Sequence, residues 1–275
     1  MALRLYIYSG LGNVIALVDL LRNDLKLTEE DVLKISKSKN VEFDQLITIL
    51  PPKDPDIDLS VEIYNTDGSV AENCINGARC LTKFVVDEGL IAKKYFSVST
   101  LGGLWNLKAH ENGDYSVKFP YLQNLKAKNT LPPENSDNKH LISIEGHEIE
   151  LGLIDLGNPH AVTFKELNDG MPLRTLGEAL QNSNWFPEGV NVGVGKIISN
   201  NEIDLKVYER GAGETLACGS GACAAALIAI EDKVVVSPVK VNFEKGSLFI
   251  DYNIEDKEIL VKGGAEFIKE INVMI

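Results

Sequence analysis

Along most of this chain the apolar residues come in short strand-like runs punctuated by turn residues, such as Phe96 to Ser99 before Gly102-Gly103 and Ser116 to Phe119 before Pro120. Two segments read differently. From about Asn76 to Asp87, Ala78, Leu81, Phe84 and Val85 recur at helical spacing, and Gly89 is placed to end the helix. From about Ser220 to Glu231 the chain is rich in Ala and Ile with hardly a polar face, which predicts a buried helix. A β-rich run precedes each helix, Val61 to Tyr64 before the first and Ile203 to Tyr208 before the second, and Ala265 to Val273 reads as a final strand. The pattern is mixed α+β rather than a regular βαβ alternation.

The two helices belong to a repeat. Gly12-Asn13 returns as Gly157-Asn158, Tyr64-Asn65 as Tyr208-Glu209, Cys74 with Gly77-Ala78 as Cys218 with Gly221-Ala222, and Gly102 as Gly246, at an offset of about 144 residues. Landmarks recurring in order at one offset mark an internal duplication. The expected domains are residues 1–118, completed by a C-terminal strand at 263–275, and residues 119–262. The loosest stretch, from Lys126 to Lys139, follows the boundary near Phe119.

With 275 residues, 44% of them hydrophobic, the chain can bury two cores of moderate size. A formal charge of -13 without a Lys/Arg run argues against a nucleic-acid partner and against an anionic membrane surface. The start of the chain lacks the long apolar region and cleavage site of a signal peptide, and no apolar run approaches the roughly 20 residues of a membrane span. A cytoplasmic location is expected. There the four cysteines, at 74, 80, 218 and 223, stay reduced, so their use lies in packing or chemistry.

Cys74 and Cys218 each sit in a Gly-containing turn that opens a helix, where unpaired amides and the macrodipole favour a thiolate. The same amides can bind a carboxylate. If the two repeats pack as a pseudo-twofold pair, the cysteines face one another across an anion site. One thiolate can then remove an α-proton while the opposing thiol delivers one to the other face. An α-proton beside a carboxylate is so weakly acidic that the turn amides must stabilise the carbanion in the manner of an oxyanion hole. Cys80 and Cys223, inside the helices, read as core. The spacings C-x5-C and C-x4-C, without a His pair, do not suit a metal site, and no C-x-x-C or G-x-S-x-G is present.

Asn13, Asn65, Asn158 and Asn191 lie in or beside loop signals, each alone more readily a turn former than a ligand. Glu209-Arg210 precede the second cysteine turn. Arg210 can clamp a carboxylate and Glu209 suits an ammonium, as a second amino-acid headgroup distant from the reacting carbon requires. His160 is equally explained by a structural hydrogen bond and is left out of the chemistry.

These segments together carry a resemblance. The run from Tyr208 to Cys223 (YERGAGETLACGSGAC), with Gly10-Leu11-Gly12-Asn13, Phe43-Asp44-Gln45, Tyr64 to Gly68, Asn76 to Cys80, Gly157 to His160 and Gly189 to Val192, resembles the diaminopimelate epimerase family over essentially the whole length. The resemblance implies two pseudo-symmetric α+β domains, each a mixed sheet wrapped around a central helix. It implies interconversion of LL- and meso-diaminopimelate, in lysine and peptidoglycan precursor synthesis, without pyridoxal phosphate or any other cofactor and without a metal. Cys74 and Cys218 fall on the family's catalytic pair. Asn13, Gln45, Asn65, Asn158, Asn191, Glu209 and Arg210 fall on substrate-binding positions, with Ile75, Asn76, Gly219 and Ser220 in the turns that hold the reacting carboxylate. Ile75 stands where the family usually has Gly, Val14-Ile15 replaces Asp-Phe, and Gly263-Gly264-Ala265 stands where Gly-Pro-Ala is common. The competing readings are a proline-racemase-like enzyme acting on another amino acid and a non-catalytic amino-acid-binding relative. The expected partner is a small-molecule substrate, and a homodimer stands among the options for assembly.

Overall fold

A computed structural model describes residues 2–22, 25–120, 139–165 and 171–274. The loose stretch from 126 lies outside the described residues up to 138. The chain divides into two compact units, Met1–Phe119 with Leu260–Ile275, and Pro120–Ile259.

The first unit opens with β1 (Ala2–Gly10), β2 (Asn13–Asp19), α1 (Glu29–Ser36), β3 (Gln45–Leu50), β4 (Leu59–Asn65) and the short β5 (Val70–Ala71). It continues through α2 (Ile75–Asp87), β6 (Tyr95–Thr100), β7 (Gly103–Ala109) and β8 (Tyr115–Pro120). The pairings β1–β2, β3–β4, β4–β5, β6–β7 and β7–β8 are antiparallel, whereas β2–β3 and β4–β6 are parallel. The sheet curls round α2, which lies against β1, β2 and β7. Leu81, Phe84 and Val85 face that sheet and are fully buried.

The second unit runs β9 (His140–Ile144), β10 (His147–Asp155), β11 (Pro159–Thr163), α3 (Leu173–Gln181), β12 (Asn191–Ser199), β13 (Glu202–Glu209), β14 (Gly213–Thr215), α4 (Gly219–Glu231), β15 (Val239–Phe243) and β16 (Gly246–Asn253). Its ladder repeats the first. β10–β11, β12–β13, β13–β14 and β15–β16 are antiparallel, while β11–β12 and β13–β15 are parallel. The central helix α4 lies against six strands from β10 to β16, and every residue from Gly221 to Ile230 is buried. A helix without a polar face is stable only when enclosed in this way. The α+β fold, two duplicated units each with a sheet around one helix, is thus present.

The chain ends with β17 (Glu258–Gly263), which pairs with β8, and β18 (Glu266–Met274), which lies antiparallel to β1 with Leu5 opposite Ile271. In the first unit β18 occupies the outer side of the leading strand, as β9 does beside β10 in the second.

Helix ends show what pattern alone can signal. Gly89 takes the left-handed conformation after α2, with Leu90 N–H bonded to Val85 O and Gly89 N–H to Val86 O, a Schellman ending. The end of α4 has the same two bonds, but Lys233 takes the left-handed position, so no glycine announces it. Helices α1 and α3 are not among the elements expected from the chain, although Leu173, Leu176 and Leu180 of α3 recur at helical spacing. For α1 the signal is a capping box, Thr28 with Asp31.

The fit of α4 against β10 is tight at Gly152, where an added Cβ would lie 2.5 Å from Ile228 Cγ2. Gly152→Ala is expected to destabilise the protein by about 1–3 kcal/mol, read as a lower urea midpoint. Gly264→Ala, where a methyl group meets open space, leaves the midpoint unchanged.

Candidate active site

In the first unit, β2 and β3 begin, and β4 ends, at the same edge of the sheet. This register places Ile15 opposite Gln45 and Gln45 opposite Asn65. Gln45 Nε2 donates to Asn65 Oδ1 at 3.0 Å, and Asn65 Nδ2 donates to Ser69 Oγ at 3.0 Å. Asn13, the first residue of β2, donates from Nδ2 to Asp44 Oδ2 at 3.0 Å, and the same oxygen receives Val14 N–H at 2.7 Å.

The β5 return then brings the chain to Cys74, the N-cap of α2, in extended backbone. Its sulfur takes the place of the usual cap oxygen and accepts Gly77 N–H at 3.1 Å. An added Cβ at Gly77 would lie 2.5 Å from Ile47 Cδ1 and 3.0 Å from Cys74 Sγ, so a larger residue would have to displace the Ile47 side chain and crowd the sulfur. Cys74 is 8% exposed, and Ile75 and Asn76 are buried beside it. Asn76 Nδ2 donates to Asn13 Oδ1 at 3.5 Å, and Asn76 Oδ1 accepts from the fully buried Arg79 Nη2 at 3.0 Å. Asn13, Gln45, Asn65, Cys74, Ile75 and Asn76 are therefore gathered at one edge of this unit, the asparagines held by polar partners rather than by turns alone.

The second unit builds the same edge. His160 pairs with Asn191 in the β11–β12 register, as Ile15 does with Gln45. Asn158 Oδ1 contacts His160 Nε2 at 3.0 Å. Asn191 donates from Nδ2 to Pro159 O at 3.3 Å and accepts Arg210 N–H at 3.0 Å, so it joins two strands. The Arg210 side chain lies over Gly189 and donates to Glu188 O at 3.0 Å. Glu209 ends β13, and its Oε1 accepts a hydrogen bond from Thr215 Oγ1.

Cys218 caps α4 as Cys74 caps α2, with Gly221 N–H donating to its sulfur at 3.3 Å and Ser220 Oγ at 3.4 Å from it. Here the expectation of a stabilised thiolate needs correction. Burial, then the Glu209 charge and the hydrogen bond to Glu209, push the Cys218 thiol well above its ordinary range, and the Ser220 and Gly221 bonds do not reverse this. The helix N-terminus favours the anion, but desolvation with a neighbouring carboxylate outweighs it. Cys218 is thus a thiol at neutral pH. The fully buried Cys80, inside α2, is pushed up to about 12 by desolvation. Among the described residues, none of the four cysteines forms a disulfide.

His160 is 2% exposed. Burial, with the Arg210 charge second, pushes it down to about 3, so it stays a neutral hydrogen-bonding group.

The family model for diaminopimelate epimerase matches residues 5–120 and 152–268. The chain is 36% identical to the diaminopimelate epimerase of Ectopseudomonas mendocina and 35% identical to that of Azotobacter vinelandii, each across 100% of both chains.

The chain belongs to the diaminopimelate epimerase family.

The fold extends beyond close relatives. A hydroxyproline epimerase from Agrobacterium vitis, solved with bound trans-4-hydroxy-L-proline, superposes at a TM-score of 0.68 with 14% identity, over 99% of this chain and 92% of that one. A phenazine biosynthesis PhzF-family protein from Enterococcus faecalis superposes at 0.67 with 14% identity, over 100% of both chains.

Within this diaminopimelate epimerase-family site, Asp44, Ser69, Arg79 and Thr215 carry no signal in the sequence that marks their roles. Asp44, Arg79 and Thr215 stand inside quoted motifs, but only contacts reveal that they hold Asn13, Asn76 and Glu209. Among the described residues, no helix is long and apolar enough to cross a membrane.

The depressed His160 sets a pH dependence. Between its ordinary 6.5 and about 3, the unfolded chain binds a proton that the folded protein refuses. The stability present above the unfolded value is therefore lost as pH falls, at up to about 1.4 kcal/mol per pH unit. Urea midpoints at pH 7 and pH 5 are expected to differ less in His160→Gln than in the parent protein.

Proposed function

We propose that this protein interconverts LL- and meso-diaminopimelate by moving the proton on one α-carbon between Cys74 and Cys218. The carrying observation is that each duplicated unit caps its central helix with a cysteine sulfur that accepts a backbone amide, Gly77 N–H in one and Gly221 N–H in the other. A cap of this kind holds a soft acid/base beside free amides of a helix's first turn, which suit a carboxylate.

In this reading both turns act on the same substrate carbon. The thiolate of one cysteine takes the α-proton, so an S–H bond forms as the Cα–H bond breaks, and the electron pair passes into the substrate carboxylate. The amides of Asn76, Gly219 and Ser220 stabilise that planar carbanion, much as an oxyanion hole does. The other cysteine then gives its proton to the opposite face, which inverts the centre. Because Cys218 rests as a thiol, it is the donor in the first half of the cycle and Cys74 the base. Product release leaves the roles exchanged, ready for the opposite isomer.

Glu209, expected from the chain beside Arg210 at a distal headgroup, acts directly on the Cys218 thiol and so is assigned the ammonium at the reacting centre. Arg210, with Asn65, Asn158 and Asn191, takes the second headgroup, while Asn13 and Gln45 line the site. A second headgroup site separates diaminopimelate from a substrate with one amino-acid end. The reading places the enzyme in a reducing cytoplasm, supplying lysine and peptidoglycan precursors.

Proton NMR of LL-diaminopimelate with reduced enzyme in D2O is expected to show loss of the α-proton signal together with appearance of the meso isomer. Folded, reduced protein that produces neither change overturns the proposal. Cys74→Ala and Cys218→Ala are each expected to lower the rate by at least about 100-fold without unfolding the protein. A single-cysteine variant that keeps most activity removes that cysteine from the mechanism.

A further inference from the structure

The two cysteine turns share a backbone and differ in their electrostatic setting, and the difference at Cys218 depends on how Glu209 is held. Glu209 ends β13 and sits opposite Gly213 of β14, while Thr215 sits opposite Val207. Residues directly opposite in an antiparallel pair share a face, as do residues two apart on one strand. Val207, Glu209 and Thr215 therefore share one face, with Glu209 and Thr215 diagonal neighbours. That face meets the first turn of α4, since a Cβ at Gly221 would lie 3.1 Å from Val207 Cγ1 and 3.1 Å from Cys218 Cβ.

Left alone, a glutamate at a strand end has three side-chain torsions and access to water. Here Thr215 Oγ1 donates to Oε1, which ties the carboxylate to the β13–β14 hairpin and keeps it beside the sulfur.

We propose that Thr215 is a positioning residue for the proton transfer at Cys218: by donating its hydroxyl to Glu209 Oε1, it fixes the Glu209 carboxylate against the Cys218 turn. The inference rests on the reading of Cys218 as proton donor. It explains how one turn keeps a thiol although its helix N-terminus favours a thiolate. It also explains how the carboxylate stands ready for the substrate ammonium, whose arrival neutralises the charge that holds the proton on sulfur. The other polar groups at this sulfur are Ser220 Oγ and Gly221 N–H. The remaining titratable groups of this edge are His160 on β11, kept neutral by burial, and Arg210, bonded to Glu188 O.

The test is the near-isosteric Thr215→Val, with Thr215→Ser as the variant that keeps the hydroxyl. Iodoacetamide labelling at pH 8, resolved by peptide mass spectrometry, reads the thiolate fraction of each cysteine. Thr215→Val is expected to raise the Cys218 rate by about threefold or more, because the carboxylate swings away and the like-charge penalty falls. The rate at the fully buried Cys223 stays constant, as a general loosening of the helix would not allow, and Thr215→Ser restores the parent Cys218 rate. In a Glu209→Gln background, adding Thr215→Val produces no further rise. Turnover in Thr215→Val falls by about 10- to 100-fold and returns in Thr215→Ser. An unchanged Cys218 rate in Thr215→Val, or an equal rise on the Glu209→Gln background, overturns the proposal. Labelling needs no substrate. Parent enzyme that fails to epimerise diaminopimelate while the labelling pattern holds therefore overturns the substrate assignment and leaves the positioning role standing.

Discussion

The candidate site of each unit is organised by one contact, a backbone amide donated to a cysteine sulfur at the start of a buried helix. Ordinary N-caps are small oxygen-bearing side chains at a helix end in water. Cys74 and Cys218 cap helices whose first turns are enclosed by sheet, and each cap has a glycine three residues on, where an added Cβ would crowd the cysteine and a side chain of the facing strand. Sheet curvature, the glycine and the cysteine are therefore one constraint. The strand ends that face the cap supply the polar side chains around it, Asn13, Gln45 and Asn65 in one unit and Asn158, Asn191 and Glu209 in the other.

The duplication copies this geometry without copying its charge. At the position that carries the buried Arg79 in the first unit, the second carries Cys223. At the position that carries Asn65 in the first, the second carries Glu209. The first turn thus has a guanidinium bonded to its Asn76, whereas the second has a carboxylate beside its sulfur. The two turns therefore differ in charge, and the proposed chemistry uses that difference to tell apart an acid and a base drawn from identical side chains.

Much was legible in the chain itself. The helical spacing of Ala78, Leu81, Phe84 and Val85, the apolar stretch after Ser220 and the strands before each cysteine emerge within a residue or two of their observed limits. The recurring landmarks mark the duplication. These are local features, since side-chain period and turn residues act over a few positions. Less visible were α1 and α3, whose apolar stripes are short, and the end of α4, where Lys233 adopts a conformation usually left to glycine.

Two alike cysteine turns, each at a helix start, can be read directly off the chain, and the segments around them carry the family resemblance. That Cys218 favours its thiol form follows instead from how the chain folds. Burial and the approach of Glu209 are long-range outcomes of strand pairing, and they outweigh the local preference of a helix N-terminus for an anion. The same holds for Asp44 and Thr215, whose positions in a motif say that they matter but not what they hold, whereas Arg79 reaches Asn76 locally, three residues away on α2. Strand register brings Asp44 and Thr215 within hydrogen-bond reach of their partners, and register is set by the burial of a whole sheet face rather than by any neighbouring residue.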